Sequence, residues 1–183
     1  SLFNSRSVVR GARTFHPKAY SSAVWQPART VVLRRTVKRP VWLFSLDTEQ
    51  FSAVPMTTGR LKAYFARYGS TAGECDVRLV HFTASEQIRP WLEAEWDGPA
   101  GSLARAAIDD GVAPVAAFSV YTWNAADFLE AIRHVRATCP GISIVVGGPH
   151  VQRARDFLYD DGIDVVVLGE GEATFQSWLD APS

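Results

Sequence analysis

The run VAAFSVYTWNAADFLEAIRHVRATCPGISIVV, residues 115–146, decides the fold. It opens with a nearly continuous apolar stretch, Val115 to Tyr121, as expected of a strand buried on both faces of a parallel sheet. Asn124 then stands where a helix cap belongs, and Asp127 follows near the positive end of the helix dipole. Phe128, Leu129, Ile132 and Val135 form one apolar stripe at helical spacing. Cys139-Pro140-Gly141 stops that helix, and Ile142 to Val146 is a second short β-branched run. Strand, helix and strand in succession make a βαβ crossover, which is right-handed in nearly all known sheets.

The same alternation extends both ways from Pro40 onward. Upstream, Val41 to Leu46 is a strand ending at Asp47, and the spacing of Leu61, Tyr64, Phe65 and Tyr68 predicts a helix over Thr57 to Tyr68 that stops at Gly69. Val77 to Phe82 is a second strand. Residues 84–111 read as an irregular connection with a short helix near Ser102 to Ile108, Ser102 serving as N-cap and Gly111 as stop. Downstream, a helix is expected over Val151 to Tyr159 with Val151, Ala154, Phe157 and Leu158 inward. Asp164 to Leu168 is the fifth strand, and Ala173 to Leu179 begins a last helix. The expected fold class is α/β, a flavodoxin-like (Rossmann-like) doubly wound sheet of five parallel strands in the order 2-1-3-4-5.

Composition agrees with a single packed domain: of 183 residues, 47% are hydrophobic and 21% charged, which excludes disorder and collagen-like repeats. No stretch approaches the roughly 18 uninterrupted apolar residues of a membrane span, so no membrane association is expected. Cys75 and Cys139 are too few for a disulfide scaffold, a four-thiolate zinc site or an iron-sulfur cluster, and they fit free thiols in a cytoplasmic protein. The zero net charge is unevenly spread. Residues 1–46 hold nine Lys or Arg and no acid, leaving ten bases against nineteen acids afterwards, or about +9 and −9. Residues 1–39 are read as a basic N-terminal extension and 40–183 as the folded domain. The extension is open to three readings, a packing arm, a nucleic-acid patch or a targeting presequence, of which the nucleic-acid one is not expected.

Ligands of open parallel sheets bind outside the carboxyl ends of the strands, near the switch point between the first and third. Four loops lie there: Asp47 to Pro55, Ser119 to Asn124, Gly147 to His150 and Gly169 to Glu172. Glycine pairs at two successive strand ends are costly unless the backbone is closely approached or must take positive φ. Taken singly, each has a plainer reading as a turn, and Tyr121 and Trp123 as core aromatics. The G-x-x-x-x-G-K-[ST] phosphate loop, a G-x-G-x-x-G after the first strand and the G-x-S-x-G elbow are all absent. His16, His81, His134 and His150 are too dispersed for a metal cluster, and no catalytic or metal-ligating residue is assigned.

Ser119-Val-Tyr-Thr-Trp-Asn124, Gly147-Gly-Pro-His150 and Asp164-Val-Val-Val-Leu-Gly-Glu-Gly-Glu172, followed by Thr174-Phe175, together resemble the cobalamin-binding domain that precedes the barrel of cobalamin-dependent radical S-adenosylmethionine enzymes. The resemblance covers about residues 40–180. It implies that Ser119, Val120, Tyr121, Trp123, Asn124, Gly147, Gly148, Pro149, His150, Gly169, Glu170, Gly171 and Glu172 surround cobalamin. Ser119 and the glycines would line the crevice for its tail, Asn124 would meet a corrin amide or cap its own helix, and Glu170 and Glu172 would meet the tail or compensate a dipole. The related D-x-H-x-x-G pattern supplies a cobalt-binding His, but here the stretch is Asp47-Thr-Glu-Gln-Phe-Ser52. The resemblance thus implies base-off cobalamin without a His ligand, with water, Tyr121 or Trp123 on the lower face of cobalt. The C-x-x-x-C-x-x-C motif for a [4Fe-4S] cluster is also missing. The chain is therefore expected to be the amino-terminal portion of a longer methyltransferase, or one subunit of a split one, whose barrel binds the cluster and S-adenosylmethionine in the same or a partner chain. A cofactor-free interaction or regulatory domain is the competing reading.

Overall fold

The computed structural model describes residues 37–47, 55–157 and 162–181. Five parallel strands form one sheet in the order 2-1-3-4-5, as the alternation predicts. They are β1 (Arg39–Leu46), β2 (Cys75–Phe82), β3 (Val115–Ser119), β4 (Ser143–Gly147) and β5 (Val165–Val166). The central β1 pairs with β2 and β3, Leu43 lying beside Leu79 and Ala117, and Ser119 closes the β3 ladder opposite Gly147. β1 starts at Arg39, the last residue assigned to the basic extension, whose residues 1–36 lie outside those described.

Alternation along the strands sends successive side chains to two different layers. Trp42, Phe44 and Phe118 face the layer built from α2 (Ile88–Trp91), a π-helical stretch (Leu92–Ala100), α3 (Gly101–Asp109) and α4 (Ala125–Thr138). Val41, Leu43, Ala117 and Val145 face α1 (Met56–Tyr68) and α5 (Gly171–Asp180), joining Phe65, Phe175 and Leu179. Cys75 and Cys139 are both free and buried, and that burial pushes both thiols up from their ordinary pKa.

Three segments depart from the sequence reading. Residues 88–109 are helical almost throughout, so Ser102 lies inside α3 and caps nothing. Pro90 sits in the first turn, where its missing N–H costs nothing, and the chain kinks at Gly98, which leaves helical geometry at φ −109° and ψ −122° just before Pro99. Trp96, fully buried there, stands edge-on to Trp42 at 5.2 Å and donates its indole N–H to Thr138 Oγ1 at 2.9 Å. Second, the helix expected over Val151 to Tyr159 is only a 3₁₀ turn, Ala154–Asp156, preceded by extended Arg153, with Tyr159 beyond the described residues. The amides of Val151 and Gln152 bond back to Gly148 and His150, holding the segment in tight turns that prevent a helix from starting. Third, β5 keeps two residues rather than five, because Asp164 Oδ2 takes the Ile144 N–H at 2.7 Å and Gly169 turns away at φ +73°.

Candidate functional site

β3 delivers Ser119 to the carboxyl edge of the sheet, and the next five residues fold back over the end of β1. Val120 is fixed to the neighbouring loop on both sides: its N–H donates to Gly147 O at 2.7 Å, and its carbonyl accepts from His150 N at 3.2 Å. The Asn124 side chain is fully buried and saturated. It accepts from Tyr121 N at 2.8 Å and donates to Leu46 O at 3.3 Å and Ser119 O at 3.2 Å. It therefore makes no side-chain cap on α4, correcting that sequence reading: the carboxamide is spent on joining the ends of β1 and β3. Tyr121 and Trp123 stack at 4.5 Å, Tyr121 OH meets Thr57 Oγ1 at 2.8 Å, and Trp123 Nε1 donates to Leu46 O at 3.2 Å.

Between this loop, the Gly147–Pro149 turn, the Gly169–Glu172 turn and helix α1 lies a cleft of about 300 Å³. Nine predicted residues line it: Ser119, Tyr121, Gly147, Gly148, Pro149, Gly169, Glu170, Gly171 and Glu172. Val120, Trp123, Asn124 and His150 do not. Val120 points into the opposite core, Trp123 is half exposed at the rim, and His150 Nδ1 is 3.3 Å from Thr122 Oγ1. The sequence reading assigned to the site none of the residues of one wall, Thr57, Thr58, Arg60 and Leu61 of α1, or of the apolar floor, Leu43, Ala117, Val145, Val167 and Phe175. The signal for the wall was available, since the helix after the first strand necessarily begins at the same sheet edge.

The two positive-φ glycines of the site differ in kind. Gly148, at φ +116°, packs so closely on Val120 that a Cβ would come within 2.6 Å of its carbonyl oxygen and 2.9 Å of its nitrogen. Gly169, at φ +73°, has open space where a Cβ would be. Gly148 thus serves the junction of two loops, while Gly169 leaves room at the cleft.

Charge in the cleft is confined to its mouth. Arg60 Nη2 lies 2.8 Å from Glu172 Oε1, bridging α1 and α5, and Glu170 is exposed beside them. Outside the cleft lining, Ser45 Oγ links Thr58 Oγ1 at 3.2 Å and His81 Nδ1 at 3.0 Å, with His81 Nε2 3.9 Å from Asp47. Ser119 Oγ is buried without any hydrogen-bond partner, although it lines the cleft. A buried hydroxyl left so costs about 1–3 kcal/mol, a cost that a ligand atom in the cleft would remove. Among the described residues no three His, Cys, Asp or Glu side chains come together as a metal site, and no helix is long and apolar enough to cross a membrane.

Residues 61–179 match the family described as B12 binding domain. The chain is also 42% identical over 67 residues to the 2-(S-pantetheinyl)-carbapenam-3-carboxylate methyltransferase of Streptantibioticus cattleyicolor; the match takes in 36% of this chain and 10% of that protein. A crystal structure of a 3-dehydroquinate dehydratase-like protein from Bifidobacterium longum aligns with a TM-score of 0.42 at 12% identity, covering 79% of this chain and 93% of that one.

Proposed function

The chain belongs to the B12-binding domain family, and from that premise we propose that it holds base-off cobalamin at the carboxyl edge of its sheet for a methyltransferase of the radical S-adenosylmethionine type. The observation that carries the reading is the unpartnered Ser119 Oγ, 5% exposed as a residue, in a cleft whose neighbouring wall is glycine. A cleft of about 300 Å³ suits the flat nucleotide tail but not a corrin ring, which then lies across the mouth. When bound, cobalamin supplies a cobalt centre able to accept and donate a methyl group. The chain's own part is to bind and orient: Ser119 Oγ meets the tail, Leu43, Ala117, Val145 and Phe175 exclude water around it, and Gly169 leaves room for it. The Tyr121–Trp123 stack forms the wall next to the ring. Support for methyl transfer is the 67-residue likeness to a methyltransferase. Support for a His-free cobalt is the absence of His from residues 47–52.

The test is reconstitution with hydroxocobalamin, desalting and a visible spectrum. Stoichiometric retention, with a raised melting temperature, is expected. No retention and identical melting curves would favour a cofactor-free interaction domain. Electron paramagnetic resonance of the bound Co(II) form should show cobalt hyperfine lines without further splitting; a triplet on each would put a nitrogen on cobalt, from His150 or the cofactor's own base, and refute a cobalt without a nitrogen ligand.

A further inference from the structure

We propose that Arg60 makes the cleft selective for corrinoids with a complete nucleotide tail, by exchanging its ion pair with Glu172 for the phosphodiester of that tail. The inference rests on the cobalamin reading. Arg60 is the sole cation lining the cleft among the described residues, against two carboxylates, Glu170 and Glu172. A phosphodiester entering such a mouth meets net negative charge unless the guanidinium turns toward it.

Arg60 is free to turn. Its side chain is 70% exposed and its partner's 24%, so the pair is screened and of small net worth, while Arg60 is anchored on α1 and Glu172 on α5. Both helices point their amino ends at this cleft. α1 has no acid in its first turn and no side-chain cap bond, so its first amides add positive potential at the mouth, whereas α5 carries Glu172 in its own first turn. The unpartnered, 95% buried Ser119 hydroxyl lining the same cleft independently marks it as a ligand site. Guanidinium also suits the geometry of a phosphodiester, whose two unesterified oxygens accept its forked N–H groups.

The experiment compares hydroxocobalamin with cobinamide, which has the same ring but no phosphodiester or base, by equilibrium binding to the purified chain and its variants. Arg60→Ala should weaken cobalamin about tenfold, equivalent to about 1.4 kcal/mol, and leave cobinamide within twofold. The difference should shrink as ionic strength rises. Glu172→Gln, which removes the competing charge at constant size, should tighten cobalamin two- to threefold. Equal weakening of both corrinoids by Arg60→Ala would make Arg60 a latch between helices, and weaker binding in Glu172→Gln would put Glu172 on the ligand; either overturns the exchange. Wild-type chain that binds neither corrinoid refutes the cobalamin reading itself, whereas strong wild-type binding unaffected by Arg60→Ala refutes only the role of Arg60.

Discussion

Replacing Gly148 with Ala tests whether the glycine turn is held by its own backbone junction. The new methyl group would sit 2.6 Å from Val120 O and 2.9 Å from Val120 N, between the two hydrogen bonds that join Val120 to Gly147 and His150. Neither neighbour is a flexible side-chain tip, so backbone must move. The φ of +116° adds conformational strain of about 1–3 kcal/mol. Overpacking against backbone adds about 1–3 kcal/mol, and weakening two hydrogen bonds adds about 1–2 kcal/mol. Reduced freedom of the unfolded chain returns about 0.4–1 kcal/mol. The net loss is about 2–8 kcal/mol, a fall in melting temperature of about 6–24 °C. Gly169→Ala is the control: its φ of +73° is strained but its Cβ meets nothing, so about 1–2 kcal/mol and about 3–6 °C are expected. The assay is thermal melting by circular dichroism without cofactor. Equal falls in the two variants would refute the argument from close approach.

Ser119→Ala removes a buried hydroxyl that has no partner, so stability should hold or rise by up to about 2 kcal/mol while cobalamin retention falls at least several-fold, measured by melting and by desalting on the same sample. Asn124→Asp should destabilise by about 3 kcal/mol or more, because a buried carboxylate would face the carbonyls of Leu46 and Ser119. Burial raises the pKa of such a group, so that loss should grow as pH rises above about 4, and a flat pH response would contradict it. At the opposite sheet edge, burial tends to raise Asp180, but bonds from the Thr71 and Ser70 amides, the Thr71 hydroxyl and the Gln176 amide outweigh it and hold the carboxyl well below the usual range. Its stabilising effect is complete above the unfolded pKa of about 4 and is lost as pH falls through the lower folded value. Asp180→Asn should lower the melting temperature at pH 7, and the gap from wild type should narrow toward pH 2; a gap independent of pH would exclude this role.

The apolar runs and helical stripes made the alternating elements legible, since they depend on local burial that the sequence writes directly, and the order 2-1-3-4-5 followed as the default of a doubly wound sheet. What stayed hidden depended on contacts between distant residues. The helical run of residues 88–109 is kinked at Gly98, before Pro99, and Trp96 packs against Trp42 just ahead of the kink, a contact between distant residues that no local pattern reveals. Asn124 reads as a cap in any local pattern, but its carboxamide is taken up by Tyr121 N, Ser119 O and, from distant β1, Leu46 O. The loops around the cleft were legible because strand ends must converge on one edge. The α1 wall was missed because its contributions, Thr57, Thr58 and Arg60, carry no motif.

The cleft itself follows from an imbalance between the two faces of the same strands. On the α4 side Phe44 and Phe118 lie side by side and stack at 4.5 Å with an interplanar angle of 7°, and Phe128 closes over them, so that face is filled to the strand ends. On the α1 and α5 side the same rows carry Leu43, Ala117 and Val145, and then Ser119 beside Gly147. Side-chain volume therefore falls away toward the carboxyl edge on one face only. The helices covering that face are held lower down by Phe65, Phe175 and Leu179, and cannot close the gap without leaving that packing. Densely packed interiors do not retain such space without cost. A protein selected for stability alone would fill Ala117 with a larger side chain, as it has filled the other face. The small residues and the unpartnered Ser119 hydroxyl are reconciled if the missing volume and the missing hydrogen bond belong to the same bound group.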